Sequence, residues 1–139
     1  MPARRSGSDW FLHFEEGVQL HEAYRGFARE HGVRSAVVVA GIGMVKDPEL
    51  GFFDGERYHK AQLRGAFELV STQGNLATLE GEPFTHLHVS VAGPDHVARA
   101  GHLFAGEVHI AHEGALRALP HLELVRERPA GSQLASLRW

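Results

Sequence analysis

The chain contains no cysteine, which excludes a disulfide scaffold, a zinc ribbon or finger, an iron–sulfur protein and a cysteine nucleophile. It also lacks a basic excess. Fourteen Lys and Arg stand against 17 Asp and Glu, a formal net charge of -3. A domain that grips nucleic acid with its own surface usually carries surplus positive charge, because phosphate neutralisation supplies most of the affinity. Any nucleic-acid binding is therefore predicted to be weak and unspecific. No long apolar run is present either. The stretch from Ala36 to Val45 is interrupted by glycines and falls far short of the roughly 18 residues a membrane helix needs. Near the start, Arg4 and Arg5 are followed by Asp9, Glu15 and Glu16 with no apolar segment, so a secretory signal is not expected. These absences predict a soluble, cytoplasmic protein with no membrane partner.

What is present is 139 residues, 43% of them hydrophobic, and 11 histidines. One domain of this length buries roughly two-thirds of its unfolded surface, enough for a core without staples. Histidine is the commonest metal ligand and titrates near neutral pH, so its abundance directs attention to metal chemistry.

Residues 1–9 are polar and predict a frayed terminal tail, leaving 10–139 as a single domain. Trp10 to Phe14 is an aromatic run that suits a first strand. From Val18 to His31, Leu20, Tyr24, Phe27 and Ala28 recur at helical spacing, and Gly32 marks the stop. Ser35 to Val45 is β-branched and apolar at successive positions, which predicts a central strand covered on both faces. Asp54-Gly55 is a hairpin signal between Leu50–Phe53 and Tyr58–Leu63. Further strand patterns cover Phe67–Ser71, Leu76–Leu79, Phe84–Val91, Glu107–Ile110, Leu122–Val125 and Leu134–Trp139. One amphipathic helix among many strands at close spacing predicts an α+β fold on a mainly antiparallel sheet.

Strand alternation puts His86 and His88 on one face, about 7 Å apart at the backbone. Two imidazoles so placed can begin a metal site, and other segments must complete it. With 11 histidines, chance alone gives ~0.9 such pairs, so spacing leaves open a plain pair of surface or hydrogen-bonded histidines. Two familiar completions fail. Val91, Ala92 and Gly93 stand where a nearby glutamate would be needed, and Arg99 stands where an aspartate would be. A third histidine, His102, follows Gly101, whose small size permits close approach. Three histidines with an open fourth position would make a catalytic-type zinc site. Glu68, between Phe67 and Leu69, reads either as a partly buried carboxylate near that site or as an outward strand residue. Gly41-Ile42-Gly43 lacks the third glycine and the following helix of a dinucleotide loop. It predicts close backbone packing or a bulge instead. Ser71 and Ser90 lie in strand patterns rather than in a nucleophile elbow.

Taken in order, the motifs Gly41-Ile-Gly43, Glu49-Leu-Gly-Phe-Phe-Asp54, Tyr58, Gly65-Ala-Phe-Glu-Leu-Val-Ser71, Gly74-Asn75, Gly81-Glu-Pro83, His86-Leu-His-Val89 and Gly101-His-Leu103 resemble the plant and prokaryote conserved domain, which accompanies AT-hooks in plant nuclear proteins. The resemblance runs from about Phe11 to the C-terminus. It implies an α+β domain on a mainly antiparallel sheet that assembles as a homotrimer. It also implies that His86, His88 and His102 hold a divalent metal such as zinc. Prokaryotic members stand alone and carry a DNA-binding label by analogy with the plant proteins. The family's partner-contact stretch is matched by Gly65, Phe67 and Glu68, with Ala66 where arginine is common, and Ala100 replaces a glycine before Gly101. The Arg-Gly-Arg-Pro core with which an AT-hook enters the minor groove is absent; Ala3-Arg4-Arg5-Ser6 is the nearest basic piece. The expected role is a trimeric metal site that binds a small ligand or a partner. The alternative is a metal-dependent hydrolase in which the ion activates water and Glu68 acts as general base.

Overall fold

The computed structural model describes residues 2–139. The strands are β1 (Ala3–Ser6), β2 (Asp9–Glu15), β3 (Ala36–Phe53), β4 (Tyr58–Gln62), β5 (Ala66–Leu79), β6 (Glu82–Ala92), β7 (Ala98–Ala118), β8 (Val125–Glu127) and β9 (Ser136–Arg138), and the helix is α1 (Leu20–His31). All pairings are antiparallel except that of β5 with β8. The α+β expectation is met, with the antiparallel sheet dominant.

β5 joins Phe67–Ser71 and Leu76–Leu79 into one strand, and β3 and β7 are likewise longer than their local patterns predicted. Leu50–Phe53 continues β3, and Glu107–Ile110 is the middle of β7. Their shared ladder slips register at four places, including between Gly43 and Met44. Extra residues of this kind bend a strand and sharpen its twist. The bending lets β7 pair with β3 along most of its length while its first residues also pair with β6. Since β6 pairs with β5 and β5 with β3, these four strands close on themselves. The Gly41-Ile42-Gly43 segment lies at one of these slips, in keeping with close packing rather than cofactor binding.

Helix α1 buries Leu20, Ala23, Tyr24, Phe27 and Ala28 against the sheet, the single stripe that i, i+3, i+4 spacing dictates. It ends where Gly32 turns left-handed and returns its N–H to the Ala28 carbonyl, the usual way a glycine satisfies a terminal carbonyl. From β6 the inward residues Leu87, Val89 and Val91 enter the same core. No helix among the described residues is long and apolar enough to cross a membrane.

Two expectations are corrected here. Residues 3–6 do not fray: they pair with Asp9–Leu12 as a hairpin strand, and the Pro2 carbonyl accepts from His13 N–H. Composition alone missed this because β1 gains its stability from the ladder and not from its polar side chains. The strand predicted to be covered on both faces is covered on one. Ala36, Val38 and Val45 are buried, but Val37, Val39 and Ile42 are 40%, 51% and 54% exposed. Phe11 of β2, beside Val39, and Val70 of β5 are exposed as well. The apolar pattern was real, and no other element among the described residues covers its second face.

Candidate metal centre

Alternation along β6 turns Leu87 into the core and His86 and His88 away from it. The β6–β7 register then sets His102 opposite His88, and the β5–β6 register sets Asn75 opposite His86. Three imidazoles from two neighbouring strands converge. His86 Nε2 and His88 Nε2 are 3.0 Å apart, and the ring centres of His102 lie 5.1 and 5.5 Å from those of His86 and His88. One nitrogen from each ring falls within 4.8 Å of the others. A tetrahedral ion bound at 2.0–2.1 Å sets its nitrogens about 3.4 Å apart, so closure from within 4.8 Å asks for side-chain shifts that rotamer adjustment of the rings can supply.

Glycine makes this convergence possible at two points. Gly74 has φ +157, and a Cβ there would run into the His86 carbonyl. Gly101 lies so near β3 that a Cβ would sit 2.8 Å from the Gly51 carbonyl oxygen, as the small residue before His102 suggested.

The environment favours the neutral form of His86 and His102, the form that ligates. Burial first, then the charges of Arg126, His88 and His21, bring His86 down to about 4. Burial first, then His86, His88, His21 and Lys60, bring His102 down to about 4 as well. Proton competition for a metal at these two rings therefore sets in below the ordinary imidazole range. His102 Nδ1 is buried and meets no hydrogen-bond partner among the described residues. A buried polar atom left in this state is destabilising unless something outside the chain meets it, so the donor set fits a metal.

Around the three rings lie residues that the sequence gave no reason to choose. His21 of α1 packs beside them, with Nδ1 2.7 Å from Thr85 Oγ1 and Nε2 2.7 Å from the Leu103 carbonyl. Arg126 of β8 donates from Nη2 to Asn75 Oδ1 at 2.7 Å and stands 3.3 Å from His86 Nδ1. A larger cleft, about 560 Å³, is lined by Trp10, His31 and Pro120 and contains none of the three histidines.

The model of the Plants and Prokaryotes Conserved (PCC) domain matches residues 1–118. The chain belongs to this family. A plant- and prokaryote-conserved protein from Pyrococcus horikoshii is 31% identical over 99% of this chain and 94% of its own, with a TM-score of 0.85. A protein from Archaeoglobus fulgidus described as metal-containing is 26% identical over 97% of this chain and 96% of its own, with a TM-score of 0.85. A Bacteroides thetaiotaomicron protein described as a candidate DNA-binding protein is 22% identical, covers 99% of this chain and 96% of its own, and shares the fold with a TM-score of 0.87. No curated protein matches the chain.

The stretch matching the PCC family's partner-contact motif is not part of the histidine cluster. Gly65 N–H donates to Asp47 Oδ1 at 2.7 Å, and Phe67 packs half-buried against the core. Glu68, considered above as a base or as support for the ligands, is exposed beside Met44, Val70 and Pro94. It pairs with Ala92, whereas His88 pairs with Gln73. Five residues of strand, about 17 Å, separate those rungs, so Glu68 does not reach the three rings of its own chain.

Proposed function

We propose that this PCC-domain protein is a cytoplasmic homotrimer whose His86, His88 and His102 hold one zinc ion, leaving part of the coordination shell to a small ligand. The carrying observation is the meeting of three imidazoles, two of them held neutral, around one point. Support for zinc is the donor chemistry: neutral nitrogen ligands in a partly buried, open-sided site. The hydrolase reading loses support, because the carboxylate it needed stands elsewhere on β5. The acidic balance of -3 per chain disfavours contact with phosphate backbones.

Untagged protein purified without chelators is expected to carry one zinc per chain by elemental analysis. His88→Ala, at the exposed ligand, should weaken zinc binding about a hundredfold or more while leaving the fold intact. A chain free of zinc after dialysis against micromolar zinc would refute the reading.

The exposed apolar side chains of Phe11, Val37, Val39, Ile42 and Val70 support the trimer, since large exposed apolar groups gather at interaction sites. Light scattering should return about 46 kDa, three chains of 15.3 kDa in a closed ring. Val39→Asp with Ile42→Asp should shift the mass to that of one chain. A wild-type monomer at all concentrations would exclude the assembly.

A further inference from the structure

Beside the histidines lies a cleft of about 240 Å³. Tyr58, Phe84 and Phe104 form its apolar walls, and Arg25, Arg126 and Arg128 line it with no aspartate or glutamate. Arg25 is paired with Glu22 at 3.1 Å. Arg126 is different. It is only 8% exposed. Its contacts are the Ala135 carbonyl at 2.9 Å, the Asn75 amide oxygen, the His86 ring and the face of Phe84. None carries a negative charge, and its Nε–H is buried without a partner among the described residues. A buried cation with only neutral acceptors is an electrostatic deficit that an anion would correct.

A second observation points the same way. A metal-ligating histidine donates its other ring N–H to an acceptor. When His86 Nε2 ligates, Nδ1 must carry the proton, yet the group facing it at 3.3 Å is the Arg126 guanidinium, a donor without any acceptor. Two donors then face one another. A single anionic oxygen between them would accept from both.

We propose that the cleft binds a small organic carboxylate, its head group accepting hydrogen bonds from Arg126 and from the Nδ1–H of metal-bound His86. The volume is below the usual range for drug-sized ligands, which limits the ligand to roughly ten heavy atoms. The aromatic walls favour an apolar body behind the charge, and the planar guanidinium fork favours a carboxylate. The part played by His86 rests on the metal reading above; the role of Arg126 does not.

Benzoate is the probe, titrated calorimetrically into metal-free and zinc-loaded protein, with benzamide and inorganic phosphate as comparisons. Benzoate should bind the metal-free protein, bind the zinc-loaded protein about tenfold more tightly, and lose about tenfold or more in Arg126→Gln. Equal binding of benzamide, tighter binding of phosphate, unchanged affinity in Arg126→Gln, or an affinity that does not change in protein shown to have taken up zinc would each overturn the proposal. Should Arg126→Gln fail to fold, ring-nitrogen NMR of the wild type decides: benzoate-induced shifts centred on His86 and His21 support the site, and shifts elsewhere or none refute it. Protein that binds benzoate through Arg126 but takes up no zinc would sustain the cleft and remove the metal reading. Protein that takes up zinc and ignores benzoate would do the reverse.

Discussion

Gly74→Ala is expected to destabilise the protein by about 3 kcal/mol or more and to abolish stoichiometric zinc binding. Gly74 pairs with Leu87 in the middle of the β5–β6 ladder, between the rungs that carry His86 and His88. At φ +157 a side chain is already strained, and the new methyl would overlap the His86 carbonyl carbon and oxygen. The obstacle is backbone, not a flexible side chain, so relief requires the strands to separate or slip. A one-residue slip would turn His86 and His88 into the core and Leu87 outward. Gly7→Ala is the control: it also has positive φ, but a Cβ there meets nothing within 4 Å, so it should lose about 1 kcal/mol at most and keep its zinc. Urea unfolding with elemental analysis checks both. A Gly74→Ala protein within about 0.5 kcal/mol of wild type would show that the ladder yields more easily than its geometry implies.

Acid is expected to destabilise the fold well above the carboxylate range, through His112. This ring is fully buried in the core. It stacks on Phe14 and shares a 2.8 Å hydrogen bond with Tyr24. It fits only because residue 41 is glycine, where a Cβ would lie 2.7 Å from the ring. Burial, reinforced by His13, brings His112 from 6.5 down to about 4. Between those values the unfolded chain takes up a proton that the folded chain refuses, so stability is complete above about pH 6.5 and is lost as the pH falls towards 4. At zero exposure the loss is about 3 kcal/mol, a large share of an ordinary domain's stability. His21, also lowered chiefly by burial, adds in the same direction. Denaturant midpoints at fixed protein concentration should therefore fall steeply between pH 7 and 4.5. His112→Gln should be less stable at pH 7 but should lose about 2 kcal/mol less over that interval. Identical acid sensitivity in variant and wild type would assign the effect to other groups.

Much of the site was legible because it depends on local geometry. In β6 the period of two puts His86 and His88 on one face whatever surrounds them, and Gly101 announced the close approach that brings in His102. The helix was legible for the same reason, since Leu20, Tyr24 and Phe27 need only 3.6-residue spacing to share a side. The family motifs added the expectation that these separate pieces belong together.

What could not be read was decided by pairing at long range. Arg126 reaches His86 only because β8 joins β5 in parallel, with Thr78 opposite Val125; nothing in a polar segment 38 residues beyond His88 signals that. Glu68 was the side chain the sequence singled out and Asn75 was not, but ladder register carries Asn75 to the histidines and Glu68 to a remote rung. The apolar run of β3 was read correctly as seeking cover and wrongly as finding it within the chain. Hydrophobic pattern records which side chains avoid water, and it cannot say whether a neighbouring strand or a second molecule covers them. Periodicity and residue chemistry thus determined the donors, the helix and the strand faces, because those follow from backbone geometry over a few residues. Which donors meet, which charge is buried beside them and which face stays bare were decided by the tertiary structure, because register and closure join residues that the chain keeps far apart.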